Sequence, residues 1–378
     1  MKSVFLNETG KRRFFCGCFA ADRKLEIWGL HVRMRRGMII HLKTILKLKE
    51  EYSVKKILLC ICCILLLAGC VPAAEPPEPE DGRLRIVATV FPAYDFARAA
   101  VGEEADVTLL LPPGVESHSY EPTPADILAV QQCDLFIYLG GESDSWVETI
   151  LTAAEPEGAV LRMVDCVDLL EERHAEGMQL QPGHDHEHEH GEAAEEHGLG
   201  AVTGMDEHVW TSPANAAEIT LAVGEQLAAL DNAKAEIYRT NAKSYAEKLE
   251  ELDRRFAAFF DAQPSRTIVF GDRFPLLYFA DRYRLDYYAA FPGCGTQTEP
   301  SAATVAFLTE KVKTEEIPTI WYIEFSNHLV ADCIAEATET QTAMFHTCHN
   351  VTRAEMDSGV TYCSLMEKNL EALKQFFA

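Results

Sequence analysis

The chain has 378 residues, 48% hydrophobic and 25% charged, enough to bury a sizeable core and more in keeping with two domains than with one. It carries 34 Lys and Arg against 59 Asp and Glu, a formal charge of −25, and residues 70–378 alone hold 20 basic and 54 acidic side chains, a formal charge of −34. Such a surface repels phosphate backbones and excludes nucleic acid as a partner, whereas cations suit it.

The first segment that can be read is an address. Lys55 and Lys56 precede an apolar run over residues 57–68, which closes in Leu67-Ala68-Gly69-Cys70. A short basic region, about a dozen apolar residues and small residues at the end describe an export signal. A membrane-spanning helix needs roughly 20 apolar residues, so the run is too short for one. Leu-Ala-Gly-Cys resembles the lipobox of bacterial lipoproteins, which implies a signal peptide over 54–69 and acylation of Cys70. Residues 70–83 are rich in Pro and Glu and read as an extended tether. Residues 1–53 are basic and mixed and set the signal unusually deep. The expectation is that translation starts near Val54, from a non-Met codon, or at another internal start, and that 1–53 is a non-native extension.

From Arg85 onward, short β-branched runs alternate with helical ones. Strands are predicted at 86–90, 107–111 and 135–139, with helices over 93–101, 124–132 and 146–153. The alternation restarts with strands at 267–270, 287–291, 319–323 and 342–345, and a last helix covers 365–377. This pattern predicts an α/β protein of two lobes, residues 84–212 and 265–378, each a mainly parallel sheet flanked by helices. Between them lies a helical segment, 213–264. There Asp231 reads as an N-cap, and Ile237, Tyr238, Tyr245, Leu249, Leu252, Phe256 and Phe259 recur at helical steps. A helix of about 30 residues would run some 45 Å, so one long rigid helix is predicted to join the lobes.

The histidines carry the chemistry. Of 13, six fall within residues 174–200: His174, His184, His186, His188, His190 and His197. Over residues 183–191 imidazole and carboxylate alternate without apolar residues, which predicts a loop that collects borderline metals such as Zn²⁺ weakly and without fixed geometry. His118 lies in Gly114-Val115-Glu116-Ser117-His118-Ser119-Tyr120-Glu121-Pro122, beyond the carboxyl end of the second predicted strand, where ligands of α/β sheets gather. His208 lies in Glu207-His208-Val209-Trp210-Thr211-Ser212-Pro213, just past the His-rich loop.

These two motifs, in this order around a His-rich insert, resemble those of the zinc- and manganese-binding solute-binding proteins that serve ATP-driven (ABC) importers. The likeness covers residues 84–378. It implies two α/β lobes joined by a rigid helix, with one metal ion in the cleft between them. It also implies His118 and His208 as metal ligands, a membrane permease with its cytoplasmic ATPase as partners, and a lipid-anchored, extracytoplasmic location. The family's third His falls on Gly271, in Phe270-Gly271-Asp272-Arg273-Phe274-Pro275, and the late carboxylate on His346, in Phe345-His346-Thr347-Cys348-His349-Asn350. The expected set is therefore His118, His208 and His346, with Asp272, Glu324, His349 or water as the fourth ligand. Glu324 has an alternative role as an acceptor that orients an imidazole.

Twelve cysteines include none at Cys-x-x-Cys spacing within 71–378. Cys348 is expected either as a zinc-binding thiolate or, preferably, in a disulfide with Cys294. Three imidazoles and at most one oxygen favour Zn²⁺ as the transported ligand over Mn²⁺, which takes more oxygen donors. A metal-binding adhesin of the same fold is the alternative. A secreted zinc hydrolase ranks lower, because no His-Glu-x-x-His pair occurs.

Overall fold

In a computed structural model of the chain, the structure describes residues 82–117, 120–141, 144–178, 204–293 and 300–377, all within one compact unit, Pro79–Ala378. Cys70, His118, Cys294 and the loop residues His184, His186, His188, His190 and His197 lie outside the described residues.

The first lobe contains β1 (Leu84–Ala88), α1 (Phe91–Val101), β2 (Ala105–Leu109), α2 (Pro124–Gln131), β3 (Leu135–Tyr138), α3 (Ser145–Ala154) and β4 (Ala159–Arg162). All pairings are parallel, in the order β2-β1-β3-β4. The central strand β1 explains why its run is apolar throughout. Ile86 and Ala88 enter one core while Val87 enters a second on the opposite face, so neither face meets water. Strand β4 lacks a predicted counterpart. At the sheet edge only Leu161 of its four residues is buried, too little for a periodic signal.

Two helices follow, α4 (Pro213–Leu230) and α5 (Ala235–Asp261). Asp231 is not the N-cap of the long helix. It is the C-cap of α4, and its Oδ1 accepts a hydrogen bond from Ala233 N at 3.0 Å. This Asp-centred turn breaks the chain before α5 begins. Helix α5 therefore has 27 residues and runs about 40 Å. It packs tightly on α4, where a Cβ at Gly224 would stand 2.5 Å from that of Ala242.

The second lobe contains β5 (Thr267–Phe274), α6 (Leu277–Tyr283), β6 (Asp286–Pro292), α7 (Ala302–Thr314), β7 (Thr319–Tyr322), α8 (Leu329–Thr338) and β8 (Gln341–Met344). The short α9 (Arg353–Asp357) and α10 (Tyr362–Phe376) complete it. The sheet is again parallel, in the order β6-β5-β7-β8, and so repeats the topology of the first.

Helix α5 ties the lobes together through one continuous core. Tyr238 and Ala242 share that core with Phe96 and Ala100 of α1, while Phe256 stacks edge-on against Phe279 of α6 at 5.1 Å. Midway, the buried Asp95 of α1 accepts hydrogen bonds from Tyr245 Oη of α5 at 2.5 Å and from Tyr362 N of α10 at 2.9 Å. One element from each lobe and the helix between them meet on one carboxyl. Such a joint resists hinging, as the two-lobe, single-helix reading expects.

Candidate metal site

In both sheets the strand order switches direction beside the first strand of the lobe, and loops leaving the carboxyl ends there form a crevice. A cleft of about 330 Å³ lies at this position. The first lobe contributes Glu116 and Ser117, His208 follows from the next segment, and Asp272, Glu324 and His349 enter from second-lobe loops.

His208 is buried, and its Nδ1 lies 3.2 Å from Asp206 Oδ1, which also accepts the His208 backbone N–H at 2.8 Å. Tyr278 Oη in turn donates to the Asp206 carbonyl at 2.7 Å. A proton on Nδ1 is thereby held toward Asp206, leaving the Nε2 lone pair for a metal. Burial alone would lower the pKa of this imidazole, but Asp206, Glu207 and Glu172 outweigh it, so the pKa stands above its ordinary 6.5. Asp206, two residues before His208, is a carboxylate whose role the motif alone does not reveal.

The His-rich insert is tethered to this same element. Glu171 and Met205 form an antiparallel bridge, Glu172 N donates to Gly204 O at 3.1 Å, and Asp206 N donates to Leu170 O at 2.9 Å. Both ends of the insert are thus fixed within a few residues of Asp206 and His208.

The loop after β8 decides between its two histidines. Cys348 adopts a left-handed conformation (φ 64°), turning the chain so that His349 lines the cleft, its ring 6.4 Å from that of His208. His346 does not line it. Its backbone N and O bond to the Asn369 side chain at 2.8 and 2.7 Å, and its Nδ1 accepts the Cys348 N–H at 2.9 Å. The structure therefore brings His208 together with His349 and holds His346 in the wall behind them.

The remaining candidates are committed to the scaffold to different degrees. Glu324 accepts from Thr347 N at 2.7 Å and Thr347 Oγ1 at 2.5 Å, so it braces the histidine-bearing loop. Asp272 accepts from Arg273 N at 2.8 Å and Ile323 N at 3.2 Å, tying the ends of β5 and β7. Asn350 donates to Pro112 O at 2.9 Å and Val115 O at 2.8 Å, linking the His349 loop to the segment that precedes His118. Cys348 is a buried free thiol in this structure, not half of a disulfide. Burial, then the nearby Glu324, raises its pKa well above the ordinary value, which disfavours a thiolate ligand.

Gly271 is a structural position. A Cβ there would stand 2.4 Å from Ala331 Cα in α8, so no imidazole fits. The register of β5 shifts between Phe270 and Arg273, and this irregularity delivers Asp272 and Arg273 to the cleft instead. Gly271→Ala should lower stability by about 1–3 kcal/mol, read as a drop in the urea midpoint. An unchanged midpoint would refute the close strand–helix contact.

Among the described residues, no three His, Cys, Asp or Glu side chains converge as a ready metal cage. The expected third imidazole, His118, directly follows the cleft-lining Ser117.

Two parallel α/β lobes spanned by one helix, with imidazoles in the cleft at their strand ends, define a two-lobe solute-binding protein. The chain belongs to the family described as "Zinc-uptake complex component A periplasmic" (ZnuA), whose model matches residues 86–376. The zinc-binding lipoprotein AdcA of Streptococcus pneumoniae (strain ATCC BAA-255 / R6) is 32% identical over 322 residues. That match covers 84% of this chain and 60% of the relative, so the chain spans well under two thirds of its length. The high-affinity zinc uptake system protein ZnuA of Bacillus subtilis (strain 168) is 30% identical over 319 residues, covering 82% of this chain and 94% of that protein. Among solved structures, the Zn(II)-bound ZnuA-like domain of S. pneumoniae AdcA superimposes with a TM-score of 0.62 at 29% identity, over 78% of this chain and 99% of that one.

Proposed function

We propose that the protein captures Zn²⁺ outside the cytoplasm and delivers it to the permease of an ABC importer powered by a cytoplasmic ATPase. The observation that carries this reading is the pairing of His208, oriented by Asp206, with His349 across the inter-lobe cleft. His118, His208 and His349 form the proposed imidazole set, and the fourth position falls to Asp272, Glu324 or a small exogenous donor. Such nitrogen-rich coordination suits Zn²⁺ better than Mn²⁺. The His-rich insert, anchored beside Asp206, raises the local zinc concentration, and the acidic surface steers cations inward. An acyl chain on Cys70 and the 70–83 tether hold the protein at the membrane, and the site serves capture and not turnover.

Zinc binds neutral imidazole, so protons compete with it. Because the His208 pKa is raised, that competition sets in above the ordinary histidine value and deepens as pH falls. Calorimetric titration of the full chain with Zn²⁺ should show one tight site near neutral pH and its loss at about pH 5. Equal affinity at both pH values would overturn the histidine site.

A further inference from the structure

Zinc capture leaves one charged side chain of the cleft without a role. Arg273 stands at the end of β5, beyond the register shift, and its guanidinium lines the cleft with one-fifth of the side chain exposed. Nη1 donates to Glu116 Oε1 of the opposite lobe at 2.7 Å. This ion pair anchors one end of the guanidinium. Its Nε and Nη2 groups have no acceptor among the described residues.

Glu116 offsets the charge of the guanidinium but occupies only Nη1, so what Arg273 offers a ligand is its unused hydrogen-bonding edge. The Nε/Nη2 edge is the face on which guanidinium takes a carboxylate through two parallel hydrogen bonds. The space available agrees. At about 330 Å³ the cleft far exceeds the room one ion needs and falls within the range of roughly 300–1,000 Å³ that holds small organic ligands. Leu111, Phe291, Ile323 and Val330 supply apolar wall for such a ligand's carbon skeleton. Three protein imidazoles would also leave one position of a tetrahedral zinc ion open to an outside donor.

We propose that the cleft takes zinc together with a small carboxylate-bearing chelator, of the amino-acid or hydroxy-acid class, whose carboxylate is held on the Nε/Nη2 edge of Arg273. The proposal rests on the zinc reading above and names the form in which the metal is carried. No bond is made or broken in the chelator; it fills a coordination position and accepts hydrogen bonds from the guanidinium.

Equilibrium dialysis of the detergent-solubilised full chain against radiolabelled L-histidine and, separately, radiolabelled citrate tests it, each with and without Zn²⁺. At least one label should be retained near one per protein when Zn²⁺ is present and not in its absence. Scored per zinc bound, retention should fall roughly tenfold or more in Arg273→Gln. It should fall less in Arg273→Lys, which keeps the charge but not the fork. Zinc bound tightly by the wild-type chain with neither label retained would overturn the proposal and leave zinc capture standing. Equal retention per zinc in Arg273→Gln would also overturn it. Failure of the wild-type chain to bind Zn²⁺ at all would overturn both readings.

Discussion

His349→Ala should abolish the tight zinc site, with a loss of roughly 100-fold or more in affinity, whereas His346→Ala should leave zinc affinity within a fewfold of wild type and lower stability instead. The scale follows from the cost of disturbing groups that merely support a ligand, which is about 10–100-fold; removing a ligand exceeds it. His349 lines the cleft opposite His208. His346 lies in the wall, and its Nδ1 receives the Cys348 N–H. Its loss would leave that buried donor unmatched, at a cost of about 1–3 kcal/mol. Zinc titration and urea unfolding of both variants separate the two effects. Tight binding by His349→Ala, or its loss in His346→Ala, would assign the metal to the other imidazole.

The second large effect concerns the joint between the lobes. Asp95→Ala should destabilise the protein by roughly 2–5 kcal/mol, because it strands the Tyr245 hydroxyl and the Tyr362 N–H in the core. Asp95→Asn keeps an acceptor and should be much milder. The two carboxamide and carboxyl forms also differ with pH. Burial, partly offset by the hydrogen bonds from Tyr245 and Tyr362 and by Arg98, raises the Asp95 pKa. The folded state then holds this proton more tightly than the unfolded chain does. The stability it contributes is fully present below the ordinary value of 3.8 and is lost as pH rises through the raised folded pKa. Asp95→Asn has no such titration, so its stability relative to wild type should grow across that interval. Urea unfolding at several pH values reads this directly, and parallel curves for the two proteins would rule out Asp95 as the titrating group.

Most of the architecture was legible in the sequence because it follows from local pattern. The largely apolar runs at residues 86–90 and 267–270 mark strands buried on both faces, and the three- and four-residue recurrence from Ile237 to Phe259 marks the long helix. Boundaries moved where a local interaction outweighed periodicity. Asp231 has an N-cap's chemistry, yet its side chain accepts from Ala233 N and ends the preceding helix. Strand β4 is not legible because an edge strand of four residues with one buried side chain, Leu161, carries no repeat.

The sequence by itself determined the two-lobe α/β architecture and the order of its histidine-bearing segments, among them a histidine-rich insert. Residue type and order suffice for that, since hydrophobic period, charge and imidazole chemistry are properties of short segments. Which second-lobe side chains reach the cleft was decided only by the tertiary structure. Gly271 is pressed against Ala331, the shifted register of β5 turns Asp272 and Arg273 inward, and the left-handed turn at Cys348 sends His349 to the cleft and His346 to the wall. Each outcome depends on contacts between segments far apart in the chain, or on a single backbone torsion that those contacts hold. Residue type and spacing do not encode that direction, because one change of register or one reversed φ exchanges the side chain that faces the cleft for the one that faces the core.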